Sequence, residues 1–296
     1  MRGKVDVDGI CQMIAVDNVA YAYAHGHKRA VDGLTFKIER GEIFGFLGPS
    51  GAGKSTTQKI LIRLLRDYQG AISIFNKDLM DWGPEYFEQI GVSFEFPTHF
   101  LRLTAVENLT YFGRLYAGPT RAPSALLEWV GLSGDQDMPV SQYSKGMKSR
   151  LSVARSLLHN PELLFMDEPT AGLDPVNSRR IKDLIRAQKA AGKTVFLTTH
   201  DMTLADDLCD RVALIVDGRI QVMASPRDLR LRYGRPLVKV AYRSDDRLCH
   251  REFPLPGLAD NAEFLNLLRT GEVQTIHSLE ASLEDVFIHF TGRGLQ

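Results

Sequence analysis

The sequence predicts an α/β fold: a mostly parallel sheet with an antiparallel subdomain before it, a helical insert within it and a small α+β appendage after it. Two observations support this prediction. Short apolar segments such as ELLFMDE and TVFLTTH alternate with helix-forming stretches, the order typical of parallel sheets. The glycine-rich segment GPSGAGKST also lies between a short apolar segment and an amphipathic one.

The N-terminal segments IAVDNVAYAY and VDGLTFKIERGE alternate apolar with polar residues, which predicts paired antiparallel strands. IFGFLG then predicts a short buried strand that ends in the glycine-rich loop. Apolar residues at helical spacing mark the inner face of the helix that follows: Ile60, Leu61, Leu64 and Leu65.

A helical insert is predicted over about 97–158, since AVENLTYFGRLY and APSALLEWVGL have amphipathic periodicity and few strand signals intervene. Strands and helices then alternate up to RVALIVDG. The sequence pattern changes after about residue 233. Short strand-like and helix-like segments follow, and they contain no chemical motif of their own. We therefore predict a larger domain over 12–233, which carries the motifs analysed below, and an accessory or regulatory domain over 234–296.

The amino-acid composition argues against several classes of protein. Lys plus Arg and Asp plus Glu both number 36 in 296 residues, so the chain lacks the overall basic field of a sequence-independent nucleic-acid binder, and no nucleic-acid partner is expected. Three widely separated cysteines indicate neither a disulfide framework nor a paired-ligand zinc site. No apolar run approaches the roughly 20 residues that span a bilayer, so any membrane part is expected on another chain.

The segment 48–56 fits the phosphate-binding pattern G-x-x-x-x-G-K-[ST]. Its glycines let the loop curl so that backbone N–H groups face phosphate oxygens at a helix N-terminus. Lys54 is predicted to reach the β- and γ-phosphates, and the Ser55 hydroxyl to ligate Mg²⁺. The predicted nucleotide-binding residues here are Gly48, Pro49, Ser50, Gly51, Ala52, Gly53, Lys54, Ser55 and Thr56.

A second motif, LLFMDEP, places two carboxylates at the end of a buried strand. Asp167 lies where open α/β sheets bind ligands, and we predict that it holds Mg²⁺ directly or through water. Glu168 is the predicted general base for the attacking water. Alone, such a pair is more often two surface carboxylates after a core strand; the glycine-rich loop favours the functional interpretation.

The stretch YSKGMKSRLSVARSLLHNPELLFMDEPTAGLDP resembles the signature helix, Walker B strand and D-loop of the ABC ATPase family. YSKGM stands where that family has LSGGQ and departs from it in three positions, but it keeps Ser144 and Gly146. The resemblance implies that these two residues hold the γ-phosphate of an ATP bound to the other subunit. The pattern YSKGMKSRL and a tail containing SLEDVFIHFTGR also resemble stand-alone ATPases of drug exporters of the daunorubicin-resistance type.

Further residues match the family by position. Tyr23 resembles the aromatic residue that stacks on adenine, with Tyr21 as a rival. Asp174, in AGLDP, resembles the D-loop aspartate that acts across the dimer. His200 resembles the switch histidine that touches the γ-phosphate, and it is predicted to be catalytic with Lys54 and Glu168.

Glu95 stands where the family normally has a glutamine that senses Mg²⁺ and the attacking water. A glutamate keeps an oxygen ligand, loses the N–H donor and adds charge beside Asp167, Glu168 and the phosphates. Bound Mg²⁺ offsets that charge. The alternative is that the loop is shifted and Glu95 faces solvent.

The resemblance implies an ATP-binding and ATP-hydrolysing subunit, with ATP and Mg²⁺ as cofactors, that powers a membrane exporter of drugs, antibiotics or other amphipathic molecules. It implies a separate transmembrane permease subunit, a head-to-tail homodimer or a dimer with a paralogue, and a peripheral location on the cytoplasmic face of the cell membrane. The alternative is a soluble ABC-type ATPase that acts on nucleic acid or the ribosome. A small-molecule kinase would leave YSKGM and His200 unexplained.

A direct measurement tests the interpretation of Glu95. We expect ATP affinity to depend more steeply on Mg²⁺ in the native protein than in a Glu95→Gln variant, because only the native protein needs a cation to offset the extra carboxylate. Titration of ATP at several Mg²⁺ concentrations checks this, and identical curves for the two proteins would contradict it.

Overall fold

A computed structural model describes residues 12–24, 28–96, 98–233, 237–244, 247–279 and 282–292. The chain forms two compact units, Met1–Ala224 and Ser225–Gln296. This division precedes the boundary predicted at 233/234, because the helix Pro226–Tyr233 packs against the helix Leu283–Thr291 within the second unit. Residue 234 and the predicted first residue of the insert, Pro97, lie outside the described residues.

The first unit contains, in chain order, β1 (Gln12–Tyr21), β2 (Val31–Glu39), β3 (Ile43–Leu47), α1 (Lys54–Leu61), β4 (Gln69–Ile74), β5 (Lys77–Asp78), β6 (Ile90–Ser93), α2 (Ala105–Gly113), α3 (Pro123–Trp129), α4 (Lys145–Ser156), β7 (Leu163–Asp167), α5 (Pro175–Ala190), β8 (Thr194–Thr199), α6 (Met202–Leu208), β9 (Arg211–Val216) and β10 (Arg219–Ala224). The antiparallel sheet has the order β2-β1-β4-β5, and the larger sheet has the order β10-β9-β3-β8-β7-β6. Neighbours from β9 to β6 are parallel, whereas β10 pairs antiparallel with β9. The predicted fold class is confirmed.

Aromatic rings join the two sheets. Phe36 of β2 lies with its ring centroid 5.7 Å from that of Phe44 and 5.6 Å from that of Phe46, both on β3. Phe196 of β8 continues the cluster, 5.5 Å from Phe46 and 5.7 Å from Phe165 of β7. All of these side chains are buried, so alternation on β2 and the continuous apolar runs of β3, β7 and β8 build one core.

The helix after the glycine-rich loop is shorter than predicted. α1 ends at Leu61, and Arg63 has a φ of 61°, a left-handed conformation that takes the chain out of the helix. The predicted core position Leu64 is therefore wrong, since this side chain is 61% exposed. Leu65 is partly buried against the core.

The helical insert contains α2, α3 and α4. A capping box begins α2: the Thr104 hydroxyl accepts a hydrogen bond from the Glu107 N–H, and the Glu107 carboxylate accepts one from the Thr104 N–H. Ser144 begins α4, with its hydroxyl accepting from the Met147 N–H at 3.2 Å. The insert thus enters the fold after β6 and returns to it through α4.

The second unit contains α7 (Pro226–Tyr233), β11 (Leu237–Ser244), β12 (Arg247–Pro254), α8 (Ala262–Thr270), β13 (Glu272–Leu279) and α9 (Leu283–Thr291). Its antiparallel sheet has the order β12-β11-β13. Val238 and Val240 of β11 are buried with Phe253 of β12 and Phe264 of α8. In the described part of the chain, no helix has both the length and the apolarity needed to cross a membrane.

A hydrogen bond of His99 links the segment after β6 to helix α4. Its Nε2 lies 2.9 Å from the Lys148 carbonyl oxygen, and because a carbonyl only accepts, Nε2 carries the proton. Burial lowers the pKa of His99 to about 4, so the imidazole is neutral in the folded protein at neutral pH.

We expect this histidine to make the protein sensitive to acid. The unfolded chain takes up a proton near pH 6.5 and the folded chain only near pH 4, so stability falls as the pH falls through this window. A His99→Gln variant keeps an N–H donor but does not titrate. At pH 5 it should have lost about 2 kcal/mol less stability, relative to pH 7, than the native protein. Urea unfolding at the two pH values measures this difference.

The buried His159, whose pKa is also lowered by burial, is retained in both proteins and cancels in the comparison. Equal losses of stability in the native protein and the variant would contradict the prediction.

Candidate active site

The candidate site lies at the carboxyl ends of four neighbouring parallel strands. The glycine-rich loop follows β3, and His200 follows the adjacent β8. Asp167 ends β7, which pairs with β8, and Glu95 lies two residues after β6, which pairs with β7. Strand order therefore brings together groups that are far apart in sequence, at the edge where open α/β sheets bind ligands.

The glycine-rich loop needs glycine at both of its ends. A Cβ on Gly48 would lie 2.3 Å from the Ile215 carbonyl oxygen, and one on Gly53 would lie 2.5 Å from the Ala30 carbonyl oxygen. Gly53 also has a φ of 110°, a conformation that residues with a side chain rarely adopt. The loop leads directly into α1, so its backbone N–H groups and the N-terminus of that helix form a cradle that fits a phosphate chain.

Lys54, the first residue of α1, is nearly buried. Its Nζ donates hydrogen bonds to the carbonyl oxygens of Gly48 at 2.6 Å and Pro49 at 3.1 Å. Burial lowers the pKa of Lys54, while the carboxylates of Glu168, Asp167 and, in smaller measure, Glu95 act to raise it. Its ammonium thus lies within electrostatic reach of the carboxylates from β7 and of the one after β6.

Asp167 is buried and accepts a hydrogen bond from the Thr198 hydroxyl. Burial is the main cause that raises the pKa of Asp167, and the nearby Glu168 acts in the same direction. The Thr198 hydroxyl also lies 3.2 Å from the Gln58 side-chain oxygen on α1. The carboxylate end of β7 is therefore held by β8 and lies beside α1.

The Glu168 carboxylate is held by Thr199, which ends the neighbouring strand β8, and by the next residue, His200. Its Oε2 accepts from the Thr199 hydroxyl at 2.8 Å, and its Oε1 accepts from the His200 N–H at 2.9 Å. The His200 Nδ1 lies 2.5 Å from the same Oε1. With a buried carboxylate and a partner imidazole, the pair can take up and pass on a proton.

Glu95 is half-buried. Burial raises its pKa, and the negative charges of Asp167 and Glu168 raise it further. The side chain is therefore within electrostatic reach of the β7 carboxylates.

These groups fit a divalent cation. Burial, and to a lesser extent the neighbouring carboxylates, raises the pKa values of Asp167 and Glu95, so a cation bound beside them would stabilise their charged forms. The exposed Ser55 hydroxyl adds a third oxygen at the start of α1. Carboxylate and hydroxyl oxygens are the hard ligands that Mg²⁺ takes beside phosphate.

The two candidate adenine-stacking tyrosines have different surroundings. The Tyr23 hydroxyl lies 3.2 Å from the Thr56 hydroxyl on α1, and the side chain is 43% exposed. The Tyr21 ring meets the Tyr23 ring edge to face at 5.1 Å and packs against the core. Tyr23 thus combines contact with the phosphate-loop helix and an accessible ring.

The three residues predicted to act across a dimer lie at the N-terminal ends of helices α4 and α5. Ser144 caps α4, and Gly146 lies in its first turn, where a Cβ would be 3.2 Å from Leu173. Asp174 caps α5 by accepting from the Val176 and Asn177 N–H groups, each at 3.0 Å. Hydrogen bonds from the Asn177 side chain and backbone lower the pKa of Asp174.

Sequence reasoning missed Thr198, Thr199 and Gln58, which position the two β7 carboxylates or lie beside them. A signal was present in TVFLTTH, where adjacent threonines end an otherwise apolar strand. Buried hydroxyls need partners, so this pattern predicts polar neighbours at the strand end. It does not identify them.

Comparison with known proteins fits this geometry. The family described as "ABC transporter" matches residues 31–171, and "Fluoroquinolone efflux ABC transporter C-terminal domain" matches residues 236–280. A "Fluoroquinolones export ATP-binding protein" of Mycobacterium tuberculosis is 55% identical over 285 residues, which cover 96% of this chain and 95% of the relative. The chain belongs to the ABC transporter ATP-binding proteins.

More distant relatives support the same family assignment. A "Daunorubicin/doxorubicin resistance ATP-binding protein" of Streptomyces peucetius is 32% identical over 308 residues, covering 94% of this chain and 92% of the relative. A solved dimeric ATP-binding cassette bound to ADP and Pi is 27% identical, with a TM-score of 0.66, and covers 72% of this chain and 98% of the cassette. The predicted family is confirmed, and the family implies ATP binding and hydrolysis.

Substitutions at the two tyrosines test the adenine contact. We expect Tyr23→Ala to weaken ATP binding about tenfold, because stacking of an aromatic side chain on a base contributes about 1–3 kcal/mol. Tyr23→Phe keeps the ring and should stay within about threefold of the native affinity. Tyr21→Ala is the matched control, and the assignment would pass to Tyr21 if only that variant lost affinity for a fluorescent ATP analogue.

Proposed function

We propose that this ABC protein hydrolyses ATP to drive a membrane exporter of drugs, with fluoroquinolone-like molecules as its substrate class. The observation that carries the proposal is the 55% identity, over 96% of the chain, to a protein named for fluoroquinolone export. The match extends beyond the ATPase domain, because residues 236–280 match a domain described by the same activity. We further propose that the predicted domain 12–233 binds ATP and that 234–296 is an accessory domain, with α7 at the junction packed against α9 of the second unit.

The phosphate chain of ATP binds in the cradle formed by the loop 48–53 and α1. Lys54 neutralises the β- and γ-phosphates, and the Tyr23 ring covers the adenine. Ser55, Asp167 and Glu95 would hold Mg²⁺, which would supply positive charge beside the phosphates. Support comes from the buried ammonium beside three carboxylates at one sheet edge.

Glu168 is the general base. Its carboxylate is oriented by the Thr199 hydroxyl and the His200 N–H, so one oxygen can take a proton from a water molecule that attacks the γ-phosphate. The imidazole of His200 faces the same carboxylate oxygen. It stabilises the negative charge there and is placed to contact the γ-phosphate.

A second copy, or a paralogue, completes each site. Ser144 and Gly146 stand at a helix N-terminus, where a hydroxyl and backbone N–H groups favour an anion. Head-to-tail pairing of two such chains would present them, with Asp174, to the partner's ATP, and a two-fold axis forms both sites at once. Support comes from the solved ATP-binding cassette bound to ADP and Pi, whose structure is dimeric.

A separate transmembrane permease contains the export pathway, and this chain binds it from the cytoplasmic face of the cell membrane. The helical insert supplies the contact surface. Exposed apolar side chains lie on and before α2, including Phe100, Leu101 and Tyr111. Such a patch is typical of a protein interface.

Transport by matched variants tests the proposal. With the permease present, cells that contain the native chain should accumulate less of a fluorescent fluoroquinolone than cells that contain Glu168→Gln. We expect this variant to lose hydrolysis by about 10²-fold or more, because the general base is removed, and to keep ATP binding.

Co-purification from detergent-solubilised membranes is the control for the partner. A polytopic membrane protein should accompany the tagged native chain and the Glu168→Gln variant alike. Ribosomes or nucleic acid in its place would support the soluble ATPase alternative, and equal drug accumulation in the two strains would contradict export.

A further inference from the structure

The hairpin between β9 and β10 has a two-residue turn formed by Asp217 and Gly218. Val216 and Arg219 pair across this turn, and its two residues have φ values of 49° and 78°. Positive φ at both central positions is typical of the type I′ turn, which matches the twist of paired strands. The peptide groups of the turn therefore have well-defined directions.

Backbone hydrogen bonds join this turn to the glycine-rich loop and to β2. The Gly218 N–H donates to the Ala52 carbonyl oxygen at 2.9 Å, and the Gly218 carbonyl oxygen accepts from the Asp32 N–H at 2.9 Å. A Cβ on Gly218 would lie 3.0 Å from the Ala30 carbonyl oxygen. One residue of the turn thus contacts both the loop after β3 and the start of β2.

Ion pairs hold the same turn from the side of β2. The Asp32 carboxylate accepts from the Arg219 Nε at 2.9 Å and from Arg29 at 2.8 Å. Lys28 donates to the Asp217 carboxylate at 2.6 Å. The hydrogen bonds from Arg29 and Arg219 lower the pKa of Asp32, so this carboxylate remains charged at neutral pH and the turn stays linked to β2.

The hydrogen bond to Ala52 sets the direction of the next N–H group in the loop. A trans peptide places its C=O and N–H on opposite sides of the chain, and the described residues contain no cis peptide bond. Because the Ala52 oxygen faces the turn, the Gly53 N–H points away from the turn. Gly53 immediately precedes α1, where the loop N–H groups form the phosphate cradle.

We propose that the turn 217–218 is a positioning element for the phosphate site, in which Gly218 holds the Ala52–Gly53 peptide so that the Gly53 N–H faces the phosphate chain of the nucleotide. The inference rests on the proposed ATP site. The turn lies far from the glycine-rich loop in sequence, so it adds a constraint on the loop that the loop motif itself does not contain.

Two ligands and two variants of the turn test this proposal. We measure binding of a fluorescent ATP analogue and its displacement by inorganic triphosphate, which has a phosphate chain but no adenine. Gly218→Ala introduces a Cβ against Ala30 at a positive φ, so the turn must move. The affinity for both ligands should fall about threefold to tenfold, the range for one hydrogen bond. Asp217→Val strains the same turn without adding an atom at Gly218 and should cause a similar loss.

Two further variants are controls for charge and for backbone strain. Asp217→Asn removes the charge but retains a residue that tolerates positive φ, so it should bind both ligands within about twofold of the native affinity. Gly192→Ala is the matched control for strain, since Gly192 has a φ of 82° and a Cβ there would meet nothing within 4 Å. It precedes β8, at the opposite end of that strand from His200, and should keep both affinities.

Urea unfolding establishes that each variant is folded, and Asp217→Val provides the test if Gly218→Ala does not fold. Native affinity for triphosphate in the folded turn variants would overturn the proposal. A loss confined to the ATP analogue would also overturn it, because the turn would then act on the adenine side of the site. So would an equal loss in Gly192→Ala. Failure of the native protein to bind either ligand would instead contradict the proposed function.

Discussion

Parallel pairing of β3, β8, β7 and β6 is the constraint on which the site depends. The register places Leu47 opposite Thr199, and Asp167 opposite Thr198, so the strands end at nearly the same level. A slip of one residue would turn each side chain to the other face of the sheet, and Thr198 would no longer meet Asp167. The hydrogen bonds that hold both β7 carboxylates therefore depend on register, and the register depends on the buried apolar strands.

The chemistry could be predicted from the sequence because each motif is local. Glycines, lysine and serine in 48–56, and the carboxylates after LLFM, indicate their roles through residue type and spacing. The fold class followed from the alternation of apolar strands with helices. These features are set by neighbours in the chain, so a pattern suffices to find them.

Long-range geometry could not be predicted in the same way. Leu64 fits the apolar period of α1, but the left-handed conformation of Arg63 takes the chain out of the helical path before this position. The sequence pattern assigns residues 226–233 to the first domain, but in the structure this helix, α7, packs against α9 of the second unit. The surroundings of Glu95 depend on strand order and on bonds to α4, and neither is visible in a local pattern.

The hydrogen bonds of Lys54 give its buried charge partners within the glycine-rich loop itself. The ammonium donates to the carbonyl oxygens of residues 48 and 49. A phosphate bound in the loop would replace these acceptors with its own oxygens, so the net gain on binding is the difference between two sets of hydrogen bonds. Release of the phosphate would restore the internal acceptors and leave no buried cation unpaired. The loop thus limits the energetic cost of letting an anion go as well as the gain from holding it.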